Sequence, residues 1–270
     1  MGRIVSAAAT SHTLGPPDGV EARAERVFDG MLAIGHHIRA SQPDVLMIVT
    51  SDHLNNFRLD RQIPFAVGLS DAYTPQGDLG VPQVPFPGHR EFATGLAAWA
   101  AEHEFDLVGA EGIKPDHGLG LPNAVINTDQ RLPVVPVYVN SVMSPPPSCR
   151  RSFRLGQIIR DYVERGRPPG ERVAIVGAGG LSHWLCVPGE GRVNADWDRR
   201  IIDRFISGRA SELIALTREA ILAEGGNGGL EIAAWMCMAG AVPGATGTAV
   251  YYEPMPEWWT GMGGVTMQIA

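Results

Sequence analysis

Three features of the 270-residue chain predict an α/β fold: a mixed, largely parallel central sheet flanked by helices, with its active site at the C-terminal ends of the strands. Strand-like and helical runs alternate through most of the sequence. The run Asp44–Thr50 is short, apolar and rich in β-branched residues, the pattern of a strand buried on both faces. Neither loop-like stretch, Thr74–Pro87 or Pro145–Pro147, is long enough to be a linker between domains, and no internal repeat is visible. A single catalytic domain over residues 1–270 is therefore expected.

Arg3–Ala9 reads as a buried first strand. Val20–Ser41 has helical spacing, with Val27, Met31 and Ile34 on one face, and Pro43 ends it. Phe65–Leu69 and Phe105–Ala110 are further strands, on either side of the Ala-rich helix Glu91–His103. Pro133–Asn140 and Arg172–Val176 complete the series, with the helix Phe153–Glu164 between them. Three consecutive helices follow, near Asp196–Ser207, Ala210–Ala223 and Leu230–Gly240. The β-like stretch Thr248–Tyr252 then precedes a tail rich in Trp, Met and Gly.

Composition excludes several classes. Lys plus Arg number 22 against 29 Asp plus Glu, a formal charge of −7, which argues against a protein that grips nucleic acid or an anionic membrane. Apolar runs fall short of the roughly 18 residues of a membrane span. The N-terminus lacks the basic region and apolar core of a signal peptide. Cys149, Cys186 and Cys237 are widely spaced and odd in number, so a cytoplasmic protein without disulfides is expected.

Histidines carry the chemical signal. His12 follows the first strand, His53 the strand ending at Thr50, and His183 the strand ending near Val176, while His117 sits in a Gly/Pro loop. In open α/β sheets ligands bind in the crevice at the carboxyl ends of the strands, where three of these imidazoles converge. Imidazole suits metal ligation and proton transfer near neutral pH. His36 and His37 lie mid-helix and His89 and His103 flank a helix, so these read as solvated or structural.

Glu231 heads the apolar segment Leu230–Ala239; it either pairs with a buried cation or sits exposed at a helix N-terminus, where an acid is also favoured. Two histidines and a carboxylate leave open coordination positions, as in non-haem Fe(II) oxygen chemistry, and zinc hydrolases use the same donors. Gly177-Ala-Gly-Gly lacks the spacing of a dinucleotide clamp, and a GxSxG nucleophile elbow is absent. Ser182 and Asp52 are candidates to orient imidazoles or to cap local turns.

Ser11-His12, Asp52-His53, Asp116-His117-Gly118, Gly179-Gly-Leu-Ser-His183 and Glu231-Ile232 together form an ordered series along the chain. In this series the chain resembles the class III extradiol ring-cleavage dioxygenases of the LigB-type superfamily. The likeness is strongest to the single-subunit branch typified by 2,3-dihydroxyphenylpropionate 1,2-dioxygenase and extends to the Tyr252–Gly261 tail.

The resemblance implies Fe(II) held by His12, His53 and Glu231, with His117 and His183 as acid–base residues. It implies an o-diphenol and O2 as substrates and a homo-oligomer in aromatic catabolism. A zinc-dependent hydrolase and a non-catalytic binding protein on the same fold are the competing expectations. The chain is shorter between Pro188 and Trp197 than the dihydroxyphenylpropionate enzymes, which puts its own substrate in question. Trp184, Trp258, Trp259 and Met262 are candidates to line the pocket, and Arg58 or Arg192 to hold a substrate carboxylate.

Overall fold

A computed structural model describes residues 1–269. Its strands are β1 (Arg3–Thr10), β2 (Val45–Thr50), β3 (Phe65–Gly68), β4 (Ala72–Tyr73), β5 (Phe86–Pro87), β6 (Val108–Ala110), β7 (Val134–Val139), β8 (Arg172–Ala178), β9 (Gly247–Met255) and β10 (Thr260–Met267). The α-helices are α1 (Glu21–Ala40), α2 (Arg90–Glu102), α3 (His117–Ile126), α4 (Cys149–Asp161), α5 (Ala195–Ile206), α6 (Arg218–Gly225) and α7 (Ile232–Ala241).

Eight strands form one mixed sheet in the order β6-β3-β7-β2-β8-β1-β10-β9, and β4 pairs with β5 beside it. The central four, β7, β2, β8 and β1, run parallel. β3 meets β7 antiparallel, and β10 meets both β1 and β9 antiparallel. The sheet is thus the mixed, largely parallel one expected, flanked by helices on both faces.

Period-two alternation sorts each central strand between two cores. Val45, Met47 and Val49 face Phe92, Leu155, Phe205 and Trp235 of α2, α4, α5 and α7. Leu46 and Ile48 face Val27, Met31 and Ile34 of α1 and Leu119 of α3. No described helix is long and apolar enough to cross a membrane.

Parallel register decides where the loops go. Thr10 pairs with Ala178 and Val49 with Gly177, so β1, β2 and β8 end side by side. The segments that follow, bearing His12, His53 and His183, leave the sheet together at its C-terminal edge. The fourth wall comes from α7, which packs on α4 through facing glycines. A Cβ at Gly156 would lie 1.9 Å from the Cys237 carbonyl oxygen, and one at Gly240 2.0 Å from that of Phe153. Backbone oxygens cannot yield as side chains do. Gly156→Ala should therefore lower the unfolding free energy by at least roughly 1–3 kcal/mol, read from the midpoint of denaturant unfolding.

Several elements differ from the sequence reading; the strand expected over Phe105–Ala110 is only Val108–Ala110, and the loop-like Thr74–Pro87 ends in β5. The stretch Ala210–Ala223 is divided into a 3-10 segment, Ala210–Ala215, and α6, because Thr217 caps α6 by accepting from the Ala220 N–H. The expected Phe153–Glu164 helix starts earlier, at Cys149, where the Ser148 side chain accepts from the Arg151 N–H. The loop around His117 is the start of helix α3, capped by Asp116. The tail beyond Tyr252 is ordered: β9 continues to Met255 and β10 returns along β1.

Candidate metal centre

Glu231 ends the turn Gly228–Glu231 and opens α7. It is buried, which settles its placement against the exposed alternative. Its Oε2 accepts from the Gly180 N–H at 2.6 Å and lies 3.2 Å from His12 Nε2. Its Oε1 lies 3.2 Å from His53 Nε2. Burial alone would oppose ionisation of this carboxyl. The facing imidazoles of His12 and His53 outweigh it and hold Glu231 well below the usual carboxylate range.

Each ring has a second polar partner. Asp116 Oδ2 accepts from both the His53 N–H, at 2.8 Å, and His53 Nδ1, at 3.1 Å, and Oδ1 of the same carboxylate accepts from the Gly118 N–H. Burial depresses His53, but Asp116 and Glu231 on its two nitrogens overcome this and raise its pKa to about 10. Thr50 Oγ1 is 3.3 Å from His12 Nδ1. The His117 Nδ1–H donates to Asp78 Oδ2 at 2.6 Å, and the His183 Nδ1–H donates to the Leu181 carbonyl at 2.9 Å. Both rings therefore present an unprotonated Nε2. Burial lowers both pKa values; the neighbouring imidazoles add to this at His117, while Asp78 opposes it.

The structure thus brings all five residues of the sequence reading together. His183 Nε2 lies 4.0 Å from Glu231 Oε2. His117 stacks on His53 with ring centroids 4.1 Å apart, and His12, His53 and His117 offer nitrogens within 4.8 Å of one another. The His183 ring is wedged against Gly228, where a Cβ would lie 1.9 Å from Nε2, so only glycine fits at that position.

For Asp52 and Ser182 the local-turn alternative holds, and some pocket expectations are corrected. Asp52 touches no histidine; it accepts from Asn56 and Phe57 N–H groups and caps the turn after β2. Ser182 donates to Asp198 and accepts from the Asn194 N–H, bracing the loop rather than an imidazole. Asp116 and Asp78 orient rings instead. Asp116 was visible within a motif but without a role, and Asp78, 39 residues from His117, gave no local signal.

The five residues line a cavity of about 410 Å3 with Thr13, Leu14, Gly15, Pro16, Leu79, Leu185, Glu257, Trp258, Trp259 and Thr260. Trp258 and Trp259 lie on its wall as expected. Met262 is packed instead in the α1-side core, and Trp184 lies under Arg192, 4.8 Å from guanidinium carbon to ring centroid. Arg58 lines a separate surface pocket with Asp60 and Arg61. Neither arginine reaches the histidine cavity.

Comparison with known proteins supports the same identity. A family model described as the catalytic LigB subunit of aromatic ring-opening dioxygenase matches residues 7–263. A 2,3-dihydroxyphenylpropionate/2,3-dihydroxicinnamic acid 1,2-dioxygenase of Burkholderia vietnamiensis is 30% identical, over 92% of this chain and 90% of that protein. One of the same name from Photorhabdus laumondii is 26% identical over 96% of both. The crystal structure of an uncharacterized protein, JW3007, from Escherichia coli K12 superposes with a TM-score of 0.65 at 14% identity, over 98% of this chain and 100% of that one, a likeness of fold. With the family model spanning nearly the whole chain and its sheet edge furnished with this cluster, the protein belongs to the LigB family of aromatic ring-opening dioxygenases.

Proposed function

We propose that the protein is a non-haem Fe(II)-dependent extradiol dioxygenase. It adds both atoms of O2 to an o-diphenol and opens the ring beside the diol, giving a muconic semialdehyde-type product. The supporting observation is the Glu231 carboxylate, whose two oxygens lie 3.2 Å from Nε2 of His12 and of His53 at the floor of a cavity. Ligands about 2.1 Å from an ion and at right angles to one another are about 3 Å apart, so this spacing fits a shared metal. Two imidazoles and one carboxylate on one side leave the other side open, the donor set of Fe(II) oxygenases. Bound there, Fe(II) supplies Lewis acidity toward the diol oxygens and a path for electrons between ring and O2.

The remaining residues bind, orient and move protons. Leu14, Leu185 and Trp258 shed water around the aromatic ring. His183, with Nδ1 tied to the Leu181 carbonyl, takes a diol proton at Nε2. His117 offers a second Nε2, so protons removed as the diol binds are returned to the opened product. Asp78 holds that ring in place. Asp78→Asn should retain metal and lower kcat roughly 10- to 100-fold with little change in KM, read from steady-state oxygen uptake.

A second reading takes the three nitrogens of His12, His53 and His117 as the ligand set, a trio typical of zinc sites. Anaerobic loading with Fe(II), then a panel of catechols followed by oxygen uptake and by the yellow absorbance of ring-fission products, separates the two. Zinc retained with no turnover of any o-diphenol or o-aminophenol would end the dioxygenase proposal.

A further inference from the structure

The relatives' names describe substrates with a carboxylate tail, yet the cavity has no counterpart for one. Beyond the histidines and Glu231, its wall is mostly apolar, with Leu14, Leu79, Leu185, Trp258 and Trp259; Thr13 and Thr260 are its hydroxyl residues, and among the described residues no Lys or Arg lines it. Its one further charge is Glu257. Arg23, on the outer side of Glu257, is engaged there at 2.6 Å and at the Pro254 carbonyl at 3.0 Å. The Trp258 indole N–H is likewise engaged, by the Pro16 carbonyl at 2.8 Å. Leu79 and Trp259 on this wall are largely exposed, 63% and 52%. They adjoin Leu14, Leu185 and Trp258, so the cavity wall is continuous in apolar surface.

Resting on the dioxygenase reading, we propose that this site selects o-diphenols whose ring substituent is uncharged, an alkyl or aryl tail, and rejects carboxylate tails. A carboxylate entering here leaves its hydration for leucine and indole and approaches Glu257. Lost hydration raises its free energy, and Glu257, already paired with Arg23, offers it no partner. An uncharged tail of the same length buries apolar surface against the same side chains.

The test uses three probes with the same three-carbon tail on the Fe(II)-loaded protein, the last two matched in shape: 3-propylcatechol, 3-(2,3-dihydroxyphenyl)propanamide and 3-(2,3-dihydroxyphenyl)propionate. Oxygen uptake should give kcat/KM for the propyl probe at least ~30-fold above the propionate, mainly through KM, because a stripped hydration shell with no partner disfavours the anion. The amide should fall nearer the propyl compound, since it matches the propionate in shape and lacks its charge. Anaerobic titration of tryptophan fluorescence should return the same order in Kd.

Glu257→Gln and Glu257→Lys should progressively raise kcat/KM on the propionate and narrow the gap. A propionate used as well as the propyl probe would overturn the proposal, as would a gap that Glu257→Lys leaves unchanged. Absence of turnover on all three probes, with the fluorescence order kept, would instead remove the dioxygenase reading and leave the pocket's selectivity standing.

Discussion

Glu231→Ala should leave a folded protein that no longer retains iron. The carboxylate is the one buried acid between His12 and His53, and nothing else described in the cavity can replace it on that side. Loss of a ligand should weaken metal binding by more than the 10- to 100-fold that orienting partners contribute, and turnover should vanish with the metal. Elemental analysis after anaerobic loading and desalting reads the stoichiometry, and circular dichroism confirms the fold.

Because Glu231 also accepts from the Gly180 N–H, the alanine leaves a buried donor unpaired, a cost of roughly 1–3 kcal/mol. Glu231→Gln retains an acceptor of the same shape. It should fold as the parent does and still bind iron poorly. Stoichiometric iron with full activity in either variant would transfer the ligand role to the His12–His53–His117 trio, a reading in which His117→Ala becomes the variant that loses metal.

His183→Ala should show the opposite pattern, with iron retained and turnover lost by roughly 10²- to 10⁴-fold, the usual contribution of a positioned acid–base group. The ring lies 4.0 Å from Glu231 Oε2 and is fixed by the Leu181 carbonyl and by close contact with Gly228, so its removal should take away the proposed proton acceptor and leave His12 and His53 in place. His183→Gln fills more of the same space and should be nearly as inactive. Full activity in both variants would show that His183 takes no role in proton transfer. If iron were lost with the activity, His183 would belong to the ligand set.

The strands that carry the site were legible because they are apolar on both faces. Val45–Thr50 and Arg172–Ala178 announce themselves by composition, and the residues after them fall at one sheet edge by register alone. β10 was not legible. Thr260–Met267 holds three glycines, poor strand formers, and becomes a strand by pairing with Ala7–Thr10 and with β9. That hairpin matters to function because its turn brings Trp258, Trp259 and Thr260 beside His12.

Proximity in space rather than in sequence also explains Asp78. Its carboxylate meets His117 across a loop with no periodicity, whereas Asp116 stands next to His117 and serves His53 instead. Arg58 and Arg192 failed for the converse reason: their charge suggested a substrate anchor, but their positions put them on other surfaces.

A dioxygenase at this cluster places both atoms of O2 in the product of an o-diphenol. Mass spectrometry of the ring-opened product, formed by Fe(II)-loaded protein from 3-propylcatechol under ¹⁸O2 and trapped at once by borohydride, tests it most directly. Two heavy oxygens in each product molecule are predicted. Products with one heavy oxygen or none, or intact catechol with zinc in the site, would contradict it.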